Sequence, residues 1–396
     1  GVCWVEGFLS SSKRNRRALA IGAMGMCAAK SFALETQPDR TQPDKKAVQV
    51  TRSTSTPREQ SRMDDLLDLI PQSDRGLPNL LLSGKLSKNT QEAFDDKPVD
   101  VRGNSSLDDL ASAVGFACKK GQKHSAPRSP NQDNLLILQA GCTCIYGVFD
   151  GHGPHGQTVS SFVAPALVQN LAIHPQLQKD PTCALRDAFI QVQGNCVQLE
   201  HKKKMDCRLS GTTATVLLDR RLQKRPRELC LAHCGDSRAV LGYRSKMRSG
   251  EFVAMDLTAD HKPGIAAEKA RIEAAGGVVR RQPGDVNDRV FVKNMMYPGL
   301  AMSRSIGDTM AASVGVSSEP DVSVYEVKPG WSFVLVCSDG VWEFITSQEA
   351  VDLVGRFPPE KSHRAVQELA EEARQRWIRE EDGTCDDITA VCVWLV

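Results

Sequence analysis

The chain contains two short apolar runs that lie close together in the sequence, residues 135–138 and residues 144–149. Each run has the length of a strand, and the short segment between them favours an antiparallel hairpin. Asp133 comes just before the first run and Asp150 just after the second. Because the start of one antiparallel strand lies beside the end of the next, we expect both aspartates at the same edge of a sheet.

Aspartates also flank three apolar runs further along the chain. A single Asp-Gly pair after a strand is typical of a turn, but several converging carboxylates repel one another unless a cation lies among them. Mg²⁺ and Mn²⁺ take carboxylate, backbone carbonyl and water oxygens as ligands. The pattern therefore indicates a site for hard divalent ions. The three further aspartates are Asp236, Asp339 and Asp386, beside the runs 228–233, 333–337 and 388–396.

Gly151 and His152 follow directly after Asp150. A glycine lets its carbonyl oxygen approach an ion closely, so Gly151 is a further candidate ligand. The chain has no cluster of the HExxH type, which argues against zinc. Beside a hard-metal site, His152 suits a general acid that works near neutral pH. A turn histidine bonded to a backbone carbonyl is the alternative, and these residues alone leave both readings open.

Strand-like runs come in blocks and helical stretches come in pairs from residue 105 to the end of the chain. This order favours an α+β domain over an alternating βαβ fold. We therefore expect a single domain over residues 105–396. Apolar periodicity and capping signals predict its helices over residues 182–204, 265–275, 348–354 and 360–378.

Residues 1–104 are predicted to be an extension outside that domain. The segment 35–62 is rich in Thr, Gln, Pro, Ser and Arg, and we expect it to be disordered because it can bury little apolar surface. Residues 63–70 form either a helical docking peptide or an isolated apolar patch. The basic stretch 13–17 before a short apolar run resembles a targeting segment, with a loose amphipathic tail as the alternative.

The composition limits the class of protein. Hydrophobic residues make up 41% and charged residues 25% of the chain, which is ordinary for a globular protein. The net charge of +2 gives no field that would favour nucleic acid as a partner. No apolar run is long enough for a transmembrane span. Thirteen scattered cysteines without a CxxC pair indicate free thiols and an intracellular protein, cytoplasmic or nuclear, with organelle targeting or membrane anchoring by the N-terminus left open.

Nine motifs occur in one order along the chain: RSPNQD (128–133), YGVFDGHG (146–153), SGTTATVLL (210–218), LAHCGDSRAVL (231–241), LTADHKP (257–263), RIEAAGGVV (271–279), GLAMSRSIGD (299–308), VLVCSDGVWEFI (334–345) and DDITAVCV (386–393). Together they resemble the metal-dependent serine/threonine protein phosphatases, the protein phosphatase type 2C family. The detailed sequences of these motifs are similar to those of members from plants and protists. The resemblance does not extend to the residues before 105.

The resemblance implies a two-sheet antiparallel β-sandwich flanked by pairs of α-helices, a four-layer αββα fold with a metal centre at one end. It implies hydrolysis of phosphoserine and phosphothreonine in proteins by a hydroxide that bridges two Mn²⁺ or Mg²⁺ ions, with a weaker third ion. Phosphoproteins would be the substrates, and docking through residues 1–104 is left open. Family members mostly act as monomers.

Carried over by position in the motifs, the resemblance also assigns roles to single residues. Asp150 would bridge the two ions, and Gly151 would offer its carbonyl oxygen. The other implied metal residues are Asp339 and Asp386 on one ion, Asp133 on an ion or its water, and Asp236 with Asp339 at the third site. His152 would protonate the departing serine or threonine oxygen, and Arg128 would hold the phosphate.

Two positions depart from the family pattern. Gln132 stands where many members carry a glutamate that supports the second ion, so we expect weaker or differently tuned metal binding. Glu343 stands where many members carry an aspartate, and its longer side chain could still hold a metal-bound water. The stretch 262–300 resembles the family's mobile flap. Within it, Arg280 and Arg281 either contribute to the choice of phosphoprotein or form a solvated basic turn.

Two other functions compete with an active phosphatase. A regulatory module that binds a phosphoprotein without turnover would fit Gln132 and the long N-terminal extension. Metal-dependent hydrolysis of a nucleic acid is the weaker alternative, because the chain lacks a basic surface pattern interleaved with aromatic residues.

Overall fold

The structure is a computed structural model that describes residues 79–85, 92–103, 113–123, 129–140, 142–221, 226–245 and 250–396. The basic stretch 13–17 considered as a targeting segment, the segment 35–62 expected to be disordered, and the segment 63–70 with its two alternatives lie outside the described residues.

One large antiparallel sheet has seven strands in the order β16-β9-β8-β5-β4-β1-β2. The hairpin predicted from the two apolar runs is at its centre, where β4 pairs with β5 along its whole length. The seven strands are β1 (Asn79–Gly84), β2 (Val99–Gly103), β4 (Asn134–Ala140), β5 (Thr143–Phe149), β8 (Ala214–Arg220), β9 (Glu228–Cys234) and β16 (Asp321–Glu326).

A second antiparallel sheet has five strands in the order β11-β10-β17-β18-β3. It pairs strands that are far apart in the sequence, so its formation depends on long-range contacts. Its strands are β3 (Val114–Lys119), β10 (Arg238–Arg244), β11 (Phe252–Asp256), β17 (Trp331–Cys337) and β18 (Ile388–Trp394).

Helices cover the outer face of each sheet. The seven-stranded sheet packs against α1 (Gly156–Ala172) and α2 (Pro181–His201), and the five-stranded sheet against α6 (Ser347–Val354) and α7 (Ser362–Glu380). The short α5 (Asp339–Trp342) lies at the end of β17. The order of layers is helix, sheet, sheet, helix, which confirms the predicted αββα sandwich.

The alternation of side chains along β4 explains how one apolar run serves two layers. Leu135 and Ile137 belong to the core between the two sheets. Leu136 and Leu138 point the opposite way, into the core shared with α1 and α2. Successive residues of a strand face opposite sides of the sheet, so a strand buried on both faces is continuously apolar.

The large sheet includes two strands that precede the predicted domain boundary at residue 105. β1 pairs with β4, and β2 pairs with β1 at the edge of the sheet. The leucines of β1 supply the physical reason, since Leu81 and Leu82 are fully buried, one on each side of the sheet. The large sheet therefore includes residues 79–84 and 99–103, which precede the boundary expected from the sequence.

Two small sheets and two short helices complete the described fold. One sheet has the order β12-β13-β14 and lies with α3 in the stretch 262–300; the other has the order β15-β7-β6. These elements are β6 (Gly151–His152), β7 (Gly211–Thr212), α3 (Ala266–Ala274), β12 (Gly277–Arg281), β13 (Asp288–Val292), β14 (Pro298–Leu300), β15 (Ile306–Gly307) and α4 (Thr309–Ala312). A 3₁₀ turn at Pro359–Lys361 precedes α7.

Among the described residues, no helix combines the length and apolar character needed to cross a membrane. The cysteines in this part of the chain are free thiols, as the sequence predicted.

Gly115 provides a test of how the last helix packs on the sheet. A Cβ atom there would lie 2.2 Å from the carbonyl oxygen of Ser362, so α7 sits directly on the backbone of β3. We expect Gly115→Ala to lower the free energy of unfolding by about 1–3 kcal/mol because the helix must move outward. Urea denaturation of the metal-free protein measures this change.

The matched control is Gly194→Ala in the middle of α2. A Cβ atom at this position has no described neighbour within 4 Å. This variant should be neutral or more stable by about 0.5–1 kcal/mol, since alanine is the better helix former. Equal destabilisation by both substitutions would contradict the proposed packing of α7 on β3.

Candidate metal and catalytic centre

The central hairpin places Asp133 and Asp150 at the same edge of the large sheet. Asn134 is paired with Phe149, so the aspartates immediately outside this pair are neighbours. This confirms the arrangement expected from an antiparallel pair of runs. Thr213 holds the end of β5 in place, because its hydroxyl accepts the Asp150 amide at 3.0 Å and its amide donates to the Asp150 carbonyl at 2.8 Å.

The second sheet contributes Asp339 and Asp386 at the corresponding edge. β17 and β18 are paired up to Cys337 and Ala390, and both aspartates lie just beyond this pair. Ser338 connects the two sheets here, since its hydroxyl donates to Oδ2 of Asp133 at 2.8 Å. Both sheets therefore end at one place, and each supplies carboxylates there.

Asp150, Asp236 and Asp339 form the centre of this acidic cluster. One carboxylate oxygen of each lies within 4.8 Å of the others. Burial raises the pKa of Asp150 well above its usual value, and the charge of Asp339 raises it further. Burial and the charge of Asp236 likewise raise the pKa of Asp339 well above its usual value. Burial and neighbouring carboxylates therefore oppose the ionisation of Asp150 and Asp339.

Asp133 lies deeper, and its side chain is almost fully buried. Burial raises the pKa of Asp133 to about 7, and the neighbouring charge of Asp387 acts in the same direction. Asp386 is partly exposed, with 37% of its side chain accessible. The cluster thus extends from a buried end at Asp133 to a solvent-facing end at Asp386.

These residues fit hard divalent ions. The Oδ1 atom of Asp236 is buried and has no hydrogen-bond partner among the described residues. A buried polar atom without a partner costs free energy unless something binds it. Carboxylate oxygens that repel one another and an unpartnered buried oxygen are the donor set that Mg²⁺ and Mn²⁺ prefer.

Two lysines form ion pairs with carboxylates of the acidic cluster, one at its centre and one at its solvent-facing end. Nζ of Lys262 is 2.5 Å from Oδ2 of Asp236, and Nζ of Lys123 is 2.7 Å from Oδ1 of Asp386. Burial opposes their charged forms, but these carboxylates raise the pKa of both lysines. Neither lysine was predicted to have a role; Lys262 lies within the motif LTADHKP (257–263), but the motif does not reveal which carboxylate the lysine contacts.

The glycines around His152 are required by close backbone approaches. A Cβ atom on Gly151 would lie 2.4 Å from the carbonyl oxygen of Gln132. A Cβ atom on Gly153 would lie 2.0 Å from the carbonyl oxygen of Leu209, and Gly153 also has a positive φ of 82°. Only glycine meets both requirements without strain. The glycines of this motif therefore fix the direction in which His152 points.

His152 forms an ion pair with Asp308, a residue to which the sequence analysis assigned no role. Nε2 of His152 lies 2.6 Å from Oδ2 of Asp308, which also accepts from the Ser305 hydroxyl at 2.6 Å. Burial favours the neutral imidazole, but the Asp308 carboxylate raises the pKa of His152. Nδ1 is buried without a partner among the described residues. The reading of His152 as a turn histidine bonded to a carbonyl is not supported.

Asp308 adopts a strained backbone conformation, with φ 41° and ψ 47° in the left-handed region. Such a conformation is uncommon for a residue other than glycine and clusters at functional sites. The signal available in the sequence was the end of the motif GLAMSRSIGD, whose final aspartate is Asp308.

Asp387 was also missed, and it organises the loop that carries Gln132 and Asp133. Its side chain is buried and accepts the amides of Gly121 at 2.6 Å and Gln132 at 2.7 Å. The Gln132 side-chain amide donates to the carbonyl of Gly153 at 2.7 Å, so it links this loop to the turn after His152. Asp387 therefore acts on the backbone, whereas the adjacent Asp386 reaches the cluster.

The structure gives little or no support for a role of two other predicted site residues. Glu343 is solvent-exposed at the end of α5, and its amide donates to the carbonyl of Asp339. Arg128 lies outside the described residues.

A second group of potential metal ligands consists of His233, His261 and Asp321. The two rings are stacked, with centroids 4.4 Å apart and an interplanar angle of 4°. Nδ1 of His261 accepts the Gly235 amide at 3.1 Å, so the neutral ring carries its proton on Nε2, 3.3 Å from Asp321. Nε2 of His233 faces the carbonyl oxygen of Ala259 at 2.9 Å. Nε2 of His261 faces Asp321 but has no hydrogen-bond partner among the described residues, so protein contacts satisfy this group only in part.

The stretch 262–300, expected to form a flap, contains α3 and the sheet β12-β13-β14 around a small apolar core that it shares with residues 302–316. Glu268 at the start of α3 is buried and accepts from Arg304 at 2.7 Å and from Arg271 at 2.8 Å. Arg280 and Arg281 are exposed. Their contribution to substrate choice and the mobility of the stretch stay predictions.

Comparisons with known proteins agree with this architecture. The family model described as protein phosphatase 2C matches residues 123–382. The chain is 35% identical over 301 residues to "Probable protein phosphatase 2C 35" of Arabidopsis thaliana, covering 69% of this chain and 81% of that protein. It is 32% identical over 324 residues to "Probable protein phosphatase 2C 73" of the same plant, covering 75% and 81%.

A solved structure supports the fold. The crystal structure of serine-threonine phosphatase 2C from Toxoplasma gondii superposes with a TM-score of 0.58 at 20% identity, over 71% of this chain and 94% of that chain. The extent of the family match and the identity over 81% of each of these relatives decide the assignment: the chain belongs to the protein phosphatase 2C family and is a metal-dependent protein serine/threonine phosphatase.

Proposed function

We propose that the acidic cluster holds two Mn²⁺ or Mg²⁺ ions and is the active site for hydrolysis of phosphoserine and phosphothreonine in proteins. The single observation that carries the proposal is the convergence of Asp150, Asp236 and Asp339, with carboxylate oxygens within 4.8 Å of one another. The proposed metal residues are Asp150, Gly151, Asp133, Asp339 and Asp386, with Asp236 and Asp339 at a weaker third site. When bound, such ions supply a Lewis acid that activates water and neutralises charge on the phosphoryl group.

His152 is the proposed general acid in this reaction. With Nε2 bonded to Asp308, the transferable proton is on Nδ1, which has no partner among the described residues. The Asp308 carboxylate favours the protonated ring and fixes its orientation. His152 therefore holds a proton that the departing serine or threonine oxygen requires.

Arg128 is the proposed phosphate-binding residue, on the strength of its position five residues before Asp133. A guanidinium presents paired N–H donors whose spacing matches two oxygens of a phosphoryl group. The proposed role predicts that Arg128 acts mainly on substrate affinity.

Removal of a central carboxylate tests the metal centre. We expect Asp150→Asn and Asp339→Asn each to lower phosphate release from a phosphothreonine peptide more than about 100-fold, since even the outer partners of metal ligands cost 10–100-fold. Both variants should remain folded, because an amide relieves repulsion among buried carboxylates. The assay titrates Mn²⁺ and Mg²⁺ against a chelator.

Asp187→Asn is the matched control, because Asp187 is a half-exposed aspartate on α2, paired with His174 at 3.2 Å and outside the cluster. It should retain full activity. Metal-dependent turnover that survives in Asp150→Asn would contradict the proposed site. A folded wild-type protein that binds the phosphopeptide tightly without turnover would instead favour the binding-module function.

The role of His152 is tested by changing the leaving group. We expect His152→Ala to lose about 10²- to 10⁴-fold in kcat on a phosphothreonine peptide. The loss on p-nitrophenyl phosphate should be much smaller, because nitrophenolate departs without a proton. Asp308→Asn, which weakens the charge on the ring, should show the same selectivity to a lesser degree.

His201→Ala serves as the control, since His201 is exposed at the end of α2. It should leave both rates unchanged. Equal losses of His152→Ala on the two substrates would indicate a structural role and contradict the general-acid assignment.

A further inference from the structure

We propose that Lys262 is a built-in counter-ion of the metal centre, whose ammonium group must leave Asp236 before an ion binds at that carboxylate. The proposal rests on the proposed metal-binding function of the acidic cluster. It gives a physical reason why the site at Asp236 is weaker than the others, and it adds a residue that sets the metal concentration at which this phosphatase is fully loaded.

The contact between the two residues is close and mostly shielded from solvent. Nζ of Lys262 lies 2.5 Å from Oδ2 of Asp236. The Asp236 side chain is 1% exposed and the Lys262 side chain 32% exposed. Oδ1 of Asp236 is buried without a partner in the described part of the chain. One oxygen of this carboxylate is thus held by the lysine, and the other is free for an ion.

Hydrogen bonds fix the backbone next to Lys262 relative to the backbone next to Asp236, which limits how far the lysine side chain can move from the carboxylate. The His261 amide donates to the carbonyl of Gly235 at 3.0 Å, and the Gly235 amide donates back to the His261 ring at 3.1 Å. The ring itself is stacked on His233. His261 and Gly235 are thus joined by two hydrogen bonds, and Lys262 and Asp236 are the residues that directly follow them.

Competition follows from the charges. In the absence of ions, the ammonium offsets part of the repulsion among Asp150, Asp236 and Asp339, which lie within 4.8 Å of one another. An ion that approaches Asp236 meets a positive group already on the carboxylate and must displace it or bind beside it. Both courses cost free energy, and the cost is larger at a buried carboxylate than at an exposed one.

Lys123 makes the corresponding contact with Asp386 at the open end of the cluster. Both partners of this pair are more than one third exposed, at 35% and 37%. Water screens such a pair, and exposed ion pairs contribute little. The competition should therefore be strong at Lys262 and weak at Lys123.

The test is calorimetric titration of the full chain with MnCl₂ after removal of metals by chelation. We expect Lys262→Met to bind the most weakly held Mn²⁺ about tenfold more tightly than wild type, between the effects of exposed and buried pairs. Lys269→Met is the matched control, since Lys269 is half-exposed on α3 and lies 3.8 Å from Glu273. It removes the same charge and should leave Mn²⁺ binding unchanged.

The second measurement is urea denaturation in chelator. Lys262→Met should unfold at a lower urea concentration than wild type, because it leaves a buried carboxylate without its counter-ion. Lys262→Arg, which keeps the charge, should restore both the stability and the weaker Mn²⁺ affinity.

If Lys262→Met does not fold, the test uses Lys262→Arg and a magnetic resonance titration with Mg²⁺. The ammonium signal of Lys262 is assigned by its loss in Lys262→Arg. This signal should change as Mg²⁺ fills the weakest site.

Mn²⁺ affinity that is unchanged or weaker in a folded Lys262→Met would overturn the proposal, as would a Lys262 ammonium signal that persists unshifted at saturating Mg²⁺. These outcomes are distinct from failure of the proposed function. If the wild-type chain binds no Mn²⁺ at all, the metal centre itself is wrong. If wild type and Lys262→Met bind Mn²⁺ alike, only the role of Lys262 is wrong.

Discussion

Repulsion among buried aspartates at one end of the sandwich is the constraint on which the rest of the structure depends. Asp133 and Asp236 are each about 1% exposed, and burial with neighbouring charges raises the pKa of Asp133, Asp150 and Asp339. Such a cluster does not stabilise a fold, so the free energy of folding must come from elsewhere. Three apolar layers supply it: one between the sheets and one under each pair of helices.

The apolar strands and the acidic cluster are formed by adjacent segments of the chain. The paired part of these strands is mostly apolar and sets the register, and the carboxylates come within two residues of its end. Asp133 directly precedes β4, Asp150 directly follows β5, and Asp386 lies two residues before β18. Because register is fixed by burial on both faces, a shift of one residue would exchange the two faces of a strand. The positions of the carboxylates are therefore held by packing far from the site.

The sequence predicted those parts of the molecule that depend on local pattern. The apolar runs of β4 and β5 alternate between two cores, and the aspartates at their ends follow from antiparallel pairing. Helix α1 escaped prediction because Pro165 lies inside it and its apolar residues do not form a narrow stripe. Strand β1 escaped because its pairing with β4 crosses more than about 50 residues, a separation at which local pattern gives no information, and β2 is placed only by its pairing with β1.

Contacts within the site were the least predictable part. Asp308 lies 156 residues from His152, and Lys262 lies 26 residues from Asp236. Nothing in either local sequence reveals these pairs. The type of residue at a strand end can be read from the chain, whereas the partner that sets its charge state depends on the tertiary fold.

Thr213 shows how the acid and the metal residues are kept in one geometry. Its hydroxyl accepts the Asp150 amide at 3.0 Å and is hydrogen-bonded to the Ser237 hydroxyl at 2.7 Å. Because Ser237 directly follows Asp236, Thr213 contacts both Asp150 and the residue next to Asp236. The preceding Thr212 pairs with both Gly151 and Ile306 in the small sheet β15-β7-β6. That sheet carries His152 on one edge strand and leads directly from the other into Asp308. The His152–Asp308 pair is therefore held by backbone hydrogen bonds to the same short segment that fixes Asp150. A change in this segment would displace the proton donor and the carboxylates together. Helix α2 supports the same place from outside, because the Gln193 side chain accepts the Gly307 amide at 2.7 Å and donates to the Gly307 carbonyl at 2.9 Å.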